Sequence, residues 1–278
     1  MTTPPHWELY VIEFARSKDQ PLSSLLLDMN AVGVIDLPFA FVMARAGDRV
    51  ALVDTGFMRE GIGAEMSERF GIPWWISPVR MLGELGVAPR DVTDILISHA
   101  HFDHMGSLGQ FPNAQIHIQK RELLSWHEAM ALPRRFGFLT VAINPDDLRA
   151  AFDAAVEHRL TLLDGDKDNV LPGIHARFGE GHTMGQQFIV VETAKGRRVV
   201  SGDCIYASRN LTGYGDDGVY VPLAFGVGSI WDQLKTMDRI NTEIEGDISR
   251  VIILHDNDRW AHLPVVTEVE GFRIFRAA

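Results

Sequence analysis

Short apolar runs alternate with amphipathic stretches along the whole chain. Runs rich in Val, Ile and Phe predict β-strands at 8–15, 38–45, 49–53, 94–98, 115–118, 174–178, 187–193, 197–202 and 250–254. Apolar residues at helical spacing predict helices over 57–70, 77–86, 120–132, 145–157 and 229–244. Because both kinds of element occur in both halves, the pattern favours two sheets covered by helices.

The clearest helical pattern lies at 229–244. Its apolar residues Ile230, Leu234, Met237 and Ile240 fall on one face. Ser229, followed three residues later by Asp232, resembles a capping box. We therefore expect a helix that begins after Ser229 and packs its apolar face against a sheet.

Glycine and proline residues are scattered between the apolar runs, with no repeat of fixed period and no low-complexity linker. This arrangement predicts a single domain over residues 1–278. The glycines of "GFMREGIGAE" (56–65) lack dinucleotide-binding spacing and are expected in turns. The acidic segment at 164–169 is expected to be a solvated turn, since Asn169 and His175 stand where a calcium loop needs Gly and Glu.

The charge balance excludes two classes of partner. The 26 Lys and Arg residues against 37 Asp and Glu residues give a net charge of -11, which repels nucleic acid and anionic membrane surfaces.

Cys204 is the single cysteine and cannot form an internal disulfide. No signal-peptide pattern is visible at the N-terminus, and no apolar run approaches the ~18 residues of a membrane span. A cytoplasmic protein is expected.

The segment "SHAHFDHMG" (98–106) concentrates three histidines and an aspartate. It follows an apolar run, so in a locally extended chain His99, His101 and Asp103 share one side, while His104 begins to turn away. Imidazole and carboxylate ligands suit zinc and also accept manganese, iron or cobalt. Four ligands from one short segment cannot surround one ion well. Two metal ions, each completed from elsewhere in the chain, are therefore predicted.

The residues "HAHFDH" match the H-x-H-x-D-H motif of the metallo-β-lactamase superfamily, which this chain resembles. Further stretches resemble the other motifs of that superfamily in order: "LVDTGF" at 52–57, "GEGHTMGQQ" at 179–187, "VVSGDCIY" at 199–206 and "VIILHDND" at 251–258. The resemblance extends from about residue 8 to the end. It implies an α/β (α+β) fold, the αββα sandwich.

The same resemblance implies two Zn²⁺ per chain that share a bridging aspartate and hydroxide. The implied ligands are His99, His101 and His182 for one ion, Asp103, His104 and His255 for the other, and Asp203 for both. Asp203 and His255 each directly follow an apolar strand pattern, as ligands at a sheet end should. For Asp54 the resemblance implies hydrogen bonds to the ligand loop.

Two residues narrow the implied reaction. His101 stands where the superfamily's diiron oxygen reductases have glutamate, and Asp203 is lacking in its secreted β-lactamases. What remains resembles N-acyl homoserine lactonases and related small-lactone hydrolases. These carry a tyrosine at the position of Tyr206, whose hydroxyl bonds the carbonyl or ring oxygen of the substrate. By the same analogy, Asp103 passes a proton to the leaving alkoxide.

The predicted function is a metal-dependent hydrolase that opens a lactone ring by attack of the bridging hydroxide. N-acyl homoserine lactone is the favoured substrate, which would make the enzyme quorum-quenching. Alternatives are a pyridine-derived or γ-butyrolactone-type lactone, a thioester or an amide, and a metal-binding protein without catalysis. A homodimer is expected from the resemblance.

Three residues depart from the family pattern: Met184 and Gln186 in the third motif, and Leu254 before the last histidine. None is an implied ligand, so these changes bear on the local loop and pocket wall rather than on metal binding. Pocket candidates are 36–41, 71–82 and 132–139, with the aromatic residues Trp74, Trp75, Phe136 and Phe138 as possible lining and Arg134 and Arg135 as possible carboxylate partners.

Overall fold

The computed structural model describes residues 6–27 and 31–278, so residues 1–5 and 28–30 of the predicted domain lie outside the described residues. The strands are β1 (Glu8–Pro21), β2 (Val34–Ala46), β3 (Arg49–Val53), β4 (Trp74–Trp75), β5 (Asp94–Leu96), β6 (Gln115–Gln119), β7 (Leu160–Leu163), β8 (Lys167–Leu171), β9 (Ile174–Phe178), β10 (Gln187–Thr193), β11 (Gly196–Val200), β12 (Val251–Ile252), β13 (Val265–Val269) and β14 (Phe272–Arg276).

The helices are α1 (Leu22–Leu25), α2 (Gly61–Arg69), α3 (Pro78–Gly83), α4 (Phe102–Met105), α5 (Lys120–Ala131), α6 (Pro145–Val156), α7 (Arg209–Thr212), α8 (Ile230–Glu243) and α9 (Asn257–Trp260). Short 3-10 turns lie at Pro89–Asp91, Leu108–Gln110, Arg134–Thr140, Gly202–Cys204 and Ile248–Arg250.

The strands form two sheets. The first has the order β13-β14-β1-β2-β3-β5-β6-β7, with β4 paired to β1. Strands β3, β5, β6 and β7 run parallel, and the remaining pairs in this sheet are antiparallel. The second sheet has the order β12-β11-β10-β9-β8, with β11 and β12 parallel. The last strand, β14, pairs with the first, so the two ends of the described chain meet inside one sheet.

Alternation along the strands separates the interior into layers. In the first sheet, Ile12, Phe41 and Leu52 face a cluster that includes Leu123 of α5 and Leu148 of α6. Their sequence neighbours point to the opposite face, where they pack against the second sheet. The members of this inter-sheet cluster include Val11, Val42, Val53, Ile189, Val191 and Val200.

The outer face of the second sheet is covered by α8. Val190 and Val199 pack there with Met237 and Ile240. The order of layers is therefore helix, sheet, sheet, helix, which confirms the αββα sandwich. Among the described residues, no helix is long and apolar enough to span a membrane.

Every strand predicted from the sequence is present, with shifted ends, and the predicted helix at 229–244 is α8. Ser229 caps it, with its side chain accepting a hydrogen bond from the Asp232 N–H at 3.4 Å. Ile230 does not belong to the buried face, since it is 47% exposed at the first turn.

Some local predictions were wrong. The acidic segment 164–169 is not a turn throughout, because β8 begins at Lys167 and pairs with β9. Gly61 and Gly63 lie in α2 rather than in a turn. Strands β4, β7, β8, β13 and β14 were not predicted: β4 has two residues, and the solvent-facing β8 and β13 carry few buried apolar residues.

Asp147 is a buried carboxylate in the first turn of α6, 6% exposed. Its Oδ1 accepts a hydrogen bond from the Asn144 side chain at 3.1 Å, and its Oδ2 has no hydrogen-bond partner among the described residues. Burial, together with the nearby charge of Asp146, raises the pKa of Asp147 to about 8. Its ionised form is therefore disfavoured in the folded protein.

We expect Asp147→Asn to increase the free energy of unfolding at pH 7 by about 1–3 kcal/mol. In the wild type, the folded state binds this proton more tightly than the unfolded state, whose pKa is near 3.8. Asp147 therefore destabilises the wild-type fold increasingly as pH rises from about 4 towards 8. The gain in free energy of unfolding of Asp147→Asn over the wild type should shrink as pH falls to 4.5. Urea unfolding at both pH values measures the difference.

Asp153→Asn is the matched control, because Asp153 lies exposed on the same helix. Its effect should stay below about 0.5 kcal/mol at both pH values. A gain for Asp147→Asn that is equal at pH 4.5 and pH 7 would contradict the explanation.

Candidate metal centre

The histidine-rich segment lies at the carboxyl end of β5. His99 and His101 lie in the loop after Leu96, whereas Asp103 and His104 belong to the single turn of α4. The spacing predicted that Asp103 continues an extended segment with His99 and His101. This prediction was wrong, because Asp103 lies in a helical turn. All four side chains still face the same buried region.

The other predicted ligands come from the second sheet. His182 lies in the loop between β9 and β10, Asp203 in the Gly202–Cys204 turn after β11, and His255 shortly after β12. Since β11 and β12 are parallel, their carboxyl ends lie at the same edge. This edge meets the end of β5, and the seven predicted ligands come together there.

The seven side chains form two groups, within each of which the potential ligand atoms lie within 4.8 Å of one another. The first group is His99, His101, His182 and Asp203, and the second is Asp103, His104 and His255. All seven are buried, and Asp103 is the most exposed at 9%.

Asp203 lies between the two groups. Its Oδ2 is 3.7 Å from His99 Nε2 and 3.4 Å from His182 Nε2. Its Oδ1 is 3.2 Å from His104 Nε2 and 3.1 Å from His255 Nε2. One carboxylate thus presents one oxygen to each group, which is the position of a bridging ligand.

The polar atoms of the cluster fit a pair of cations. His101 Nδ1 lies 3.0 Å from both His99 Nε2 and His182 Nε2, so three imidazole nitrogens point at one another. His104 Nε2 and Asp203 Oδ1 are buried and have no hydrogen-bond partner among the described residues. Buried polar atoms without partners are costly, and a metal ion would satisfy all of them.

The electrostatic environment keeps the first ligand group in its ligating form. Burial lowers the pKa of His99 and His182, and it lowers that of His101 to about 3, so these rings are neutral. Burial acts to raise the pKa of Asp203, but His104 and His255 hold it well below its ordinary value. Neutral imidazole and ionised carboxylate are the forms that bind metals. In the second group, burial acts to lower the pKa of His104 and His255, but Asp203 and Asp103 raise it above its ordinary value.

Hydrogen bonds behind the cluster orient three of the rings. His104 Nδ1 donates to Asp54 Oδ2 at 2.8 Å, His182 Nδ1 to the Phe225 carbonyl at 2.9 Å, and His255 Nδ1 to the Pro38 carbonyl at 2.8 Å. Each bond leaves Nε2 facing the cluster. Asp54 also accepts from the Ser98 N–H at 2.7 Å and hydroxyl at 2.8 Å, as predicted for a residue that supports the ligand loop.

The turn that carries Asp203 depends on two residues without ligand atoms. Gly202 has φ +51, and a Cβ there would lie 2.7 Å from the Ser98 Cβ. With its amide oxygen turned towards the turn, Gln186 accepts from the N–H of Asp203 at 3.1 Å and of Cys204 at 2.6 Å. Gln186, one of the departures from the family pattern, thus supports the turn that carries Asp203.

Tyr206 lies beside the cluster, 7% exposed. Its ring centre is 5.2 Å from that of His255 and 5.6 Å from that of His182. Burial and the charges of Asp203 and Asp103 raise the pKa of Tyr206 well above its ordinary value. The hydroxyl therefore stays protonated and can act as a hydrogen-bond donor.

A mostly apolar cavity opens onto the cluster. Asp103, Asp203, Tyr206 and His255 form its polar end. Its walls include Leu25, Leu37, Phe39, Phe70, Phe102 and Phe225. Of the predicted pocket segments, only 36–41 contributes to this lining.

The proposed aromatic lining was wrong. The Trp75 indole N–H donates to the Phe57 carbonyl at 3.0 Å, and its ring packs against the apolar cluster between the first sheet and its helices. Trp74 is 40% exposed. Phe136 is exposed, and Phe138 lines a neighbouring cavity that also contacts His101. The aromatic residues that line the cavity include Phe70, Phe102 and Phe225. They lie in three separate segments of the chain, which the fold brings together.

Glu122 is a buried residue of the site that the sequence pattern did not indicate. It lies in the first turn of α5 and accepts hydrogen bonds from the Ala100 and Gly185 N–H groups. Its position after an apolar strand, like those of Asp203 and His255, is the one signal that could have drawn attention to it.

Residues 36–253 match the profile of the metallo-beta-lactamase superfamily. The chain belongs to this superfamily. An N-acyl homoserine lactonase of Bacillus cereus is 28% identical to this chain over 208 residues. The aligned region covers 69% of this chain and 76% of the relative.

Solved structures of the superfamily share the fold. An N-acyl homoserine lactone hydrolase, with the product N-hexanoyl-L-homoserine at its catalytic metal centre, matches with a TM-score of 0.69 at 23% identity, over 96% of this chain and 99% of the other. AidC, a dizinc quorum-quenching lactonase, matches with a TM-score of 0.67 at 19% identity, over 99% and 95% of the two chains.

We expect Asp54→Asn to weaken metal binding by about 10- to 100-fold. An amide at this position can direct its NH₂ towards His104 or Ser98, so the ring loses the acceptor that fixes its tautomer. Metal content per chain after dialysis against increasing chelator measures the change.

Asp94→Asn is the control, since Asp94 forms a comparable pair with His117, 3.0 Å apart, outside the cluster. The control should retain metal like the wild type. Equal metal loss from the two variants would show that Asp54 has no special role in the centre.

Proposed function

We propose that this protein is a binuclear zinc hydrolase that opens the ring of N-acyl homoserine lactones. The observation that carries the proposal is the position of Asp203, which offers one oxygen to each of two buried ligand groups at the end of an apolar cavity. Because its relatives include N-acyl homoserine lactonases, a lactone is a better substrate assignment for this chain than another acyl compound.

Under this proposal, the first metal ion is held by His99, His101 and His182, and the second by Asp103, His104 and His255, with Asp203 shared. The dizinc neighbour supports zinc, and the same ligand set accepts manganese, iron or cobalt. When bound, two such ions lower the pKa of the water they share and polarise a carbonyl oxygen.

Two residues of the chain act on the substrate in this proposal. The protonated hydroxyl of Tyr206 lines the cavity and donates a hydrogen bond to the carbonyl or ring oxygen of the lactone. Asp103 also lines the cavity, where its carboxylate would accept the proton of the hydroxyl group that has added to the carbonyl carbon and pass it to the alkoxide that leaves when the ring C–O bond breaks.

The walls of the cavity suit an acyl chain. Phe39, Phe70, Phe102 and Phe225 offer aromatic surface directly beside the polar end. Each methylene group that such surface removes from water contributes roughly 0.8 kcal/mol to binding. An N-acyl substituent would therefore be held while the ring reaches the cluster.

We also propose that residues 1–278 form one hydrolase domain. Support comes from the pairing of β1 with β14 and from ligands that span residues 99–255 and meet at one edge. Cytoplasmic location and formation of a homodimer stay predictions from the sequence.

Acid release from a substrate panel tests the reaction. We expect the highest kcat/KM for N-acyl homoserine lactones, and lower values for γ-butyrolactones, thioesters and β-lactams. Asp203→Asn should lower kcat/KM by at least ~100-fold and reduce the metal content below two ions per chain, because the shared ligand is weakened.

Asp216→Asn, a change of the same chemistry at an exposed loop position, should behave like the wild type. Preference for a thioester would replace the lactone assignment. Full metal content with no acid released from any substrate would refute the hydrolase and favour a metal-binding protein.

Tyr206→Phe should lower kcat on the favoured lactone by about 10- to 100-fold, since it removes one donor to a developing negative charge. Metal content should be unchanged. Tyr220→Phe serves as control, because the Tyr220 hydroxyl donates to Asp238 at 3.1 Å on the surface. An unaltered kcat in Tyr206→Phe would remove the tyrosine from the mechanism.

A further inference from the structure

Glu122 is a buried carboxylate whose surroundings supply donors but no cation. The residue is 0% exposed, and no Lys, Arg or His among the described residues forms an ion pair with it. Burial raises the pKa of Glu122, and its hydrogen bonds oppose that rise. A buried carboxylate without a cation is costly, so its retention here calls for an explanation.

Each oxygen of Glu122 accepts two hydrogen bonds. Oε1 accepts from the Ala100 N–H at 2.9 Å and from the Trp126 indole N–H at 2.7 Å. Oε2 accepts from the Thr183 hydroxyl at 2.7 Å and from the Gly185 N–H at 3.0 Å. Four donors converge on two oxygens, an arrangement that an ionised carboxylate satisfies fully.

The two oxygens serve different loops. Ala100 stands between His99 and His101, and Thr183 directly follows His182. The carboxylate therefore connects the two segments that deliver the three histidines of the first ligand group. None of these four hydrogen bonds goes to a residue of the second group, whose His104 is held by Asp54.

A separate close contact joins the same two loops to α5. A Cβ added at Gly185 would lie 2.1 Å from the Glu122 backbone nitrogen, so only glycine allows this approach. Trp126, which donates to Glu122, has its ring centre 5.8 Å from that of His101. The start of α5 thus acts as a fixed support behind the first group.

We propose that Glu122 is a positioning residue that sets the spacing of His99 and His101 against His182, and thereby the affinity of the first metal position alone. The inference rests on the proposed function in that this group holds a metal ion. The hydrogen bonds of Glu122 go to groups beside the histidines and not to their ring nitrogens, and Glu122 does not line the cavity. Its effect is confined to one of the two metal positions because His104 and His255 of the second group are held by other partners, Asp54 and the Pro38 carbonyl.

Glu122→Gln tests the proposal. The amide NH₂ group would face two donors wherever it points, so one loop loses its acceptor. Cobalt-loaded protein is titrated with chelator while visible absorption and metal content are followed. We expect one ion per chain to leave at about 10- to 100-fold lower chelator concentration, and the other to leave as in the wild type.

Two further variants separate positioning from a general effect. Glu128→Gln makes the same change at an exposed position of α5 and should leave both ions unaffected. Thr183→Val removes one hydrogen bond to Oε2 at similar volume, and should release the same ion as Glu122→Gln with a smaller shift. It also keeps the test available if Glu122→Gln does not fold.

The outcomes distinguish this inference from the proposed function. A wild type that binds fewer than two ions would refute the binuclear centre itself. A wild type with two ions, together with variants that release both ions at one shifted concentration or show no shift, would overturn the role of Glu122 and leave the hydrolase standing.

Discussion

The placement of one ionised carboxylate between two sets of imidazoles governs this structure. Asp203 is buried and approaches four histidine nitrogens within 3.1–3.7 Å. Such a group is tolerated inside a protein only when its charge is matched and its neighbours are fixed. The left-handed Gly202, the amide of Gln186 and the parallel pairing of β11 with β12 all serve to bring this oxygen pair to the edge of the sandwich.

Two buried carboxylates, Asp54 and Glu122, support the cluster from behind. Asp54 holds the loop start and His104, while Glu122 connects the loops of His99, His101 and His182. Both are buried carboxylates that accept several hydrogen bonds, and neither offers an atom to the cluster. Asp54 serves both ligand groups, because the Ser98 hydroxyl that it accepts from also lies 3.0 Å from His99 Nδ1, whereas the hydrogen bonds of Glu122 lie next to histidines of the first group.

The convergence of the seven predicted ligands could be anticipated from the sequence because short motifs carry them in a fixed order, and several of these motifs follow an apolar strand. The layers could also be predicted, since alternation in β1, β2 and β10 assigns successive side chains to opposite faces. The cavity walls could not. Phe70, Phe102 and Phe225 lie far apart in the chain and become neighbours only through the tertiary fold. Glu122 was missed for the same reason, because three of its four donors, on Ala100, Thr183 and Gly185, are distant in the chain.

The pairing of β1 with β14 has a consequence for how the protein is made. Strand β1 lies inside its sheet, between β2 and β14, so the sheet is completed only after the chain has been synthesised through Arg276. Long-range pairing of this kind slows folding. The histidine-rich segment emerges from the ribosome long before His255 does, and until then it exposes strong ligands without their partners. Under the proposed function, binding of a second metal ion is thus expected only after the chain has been made through His255.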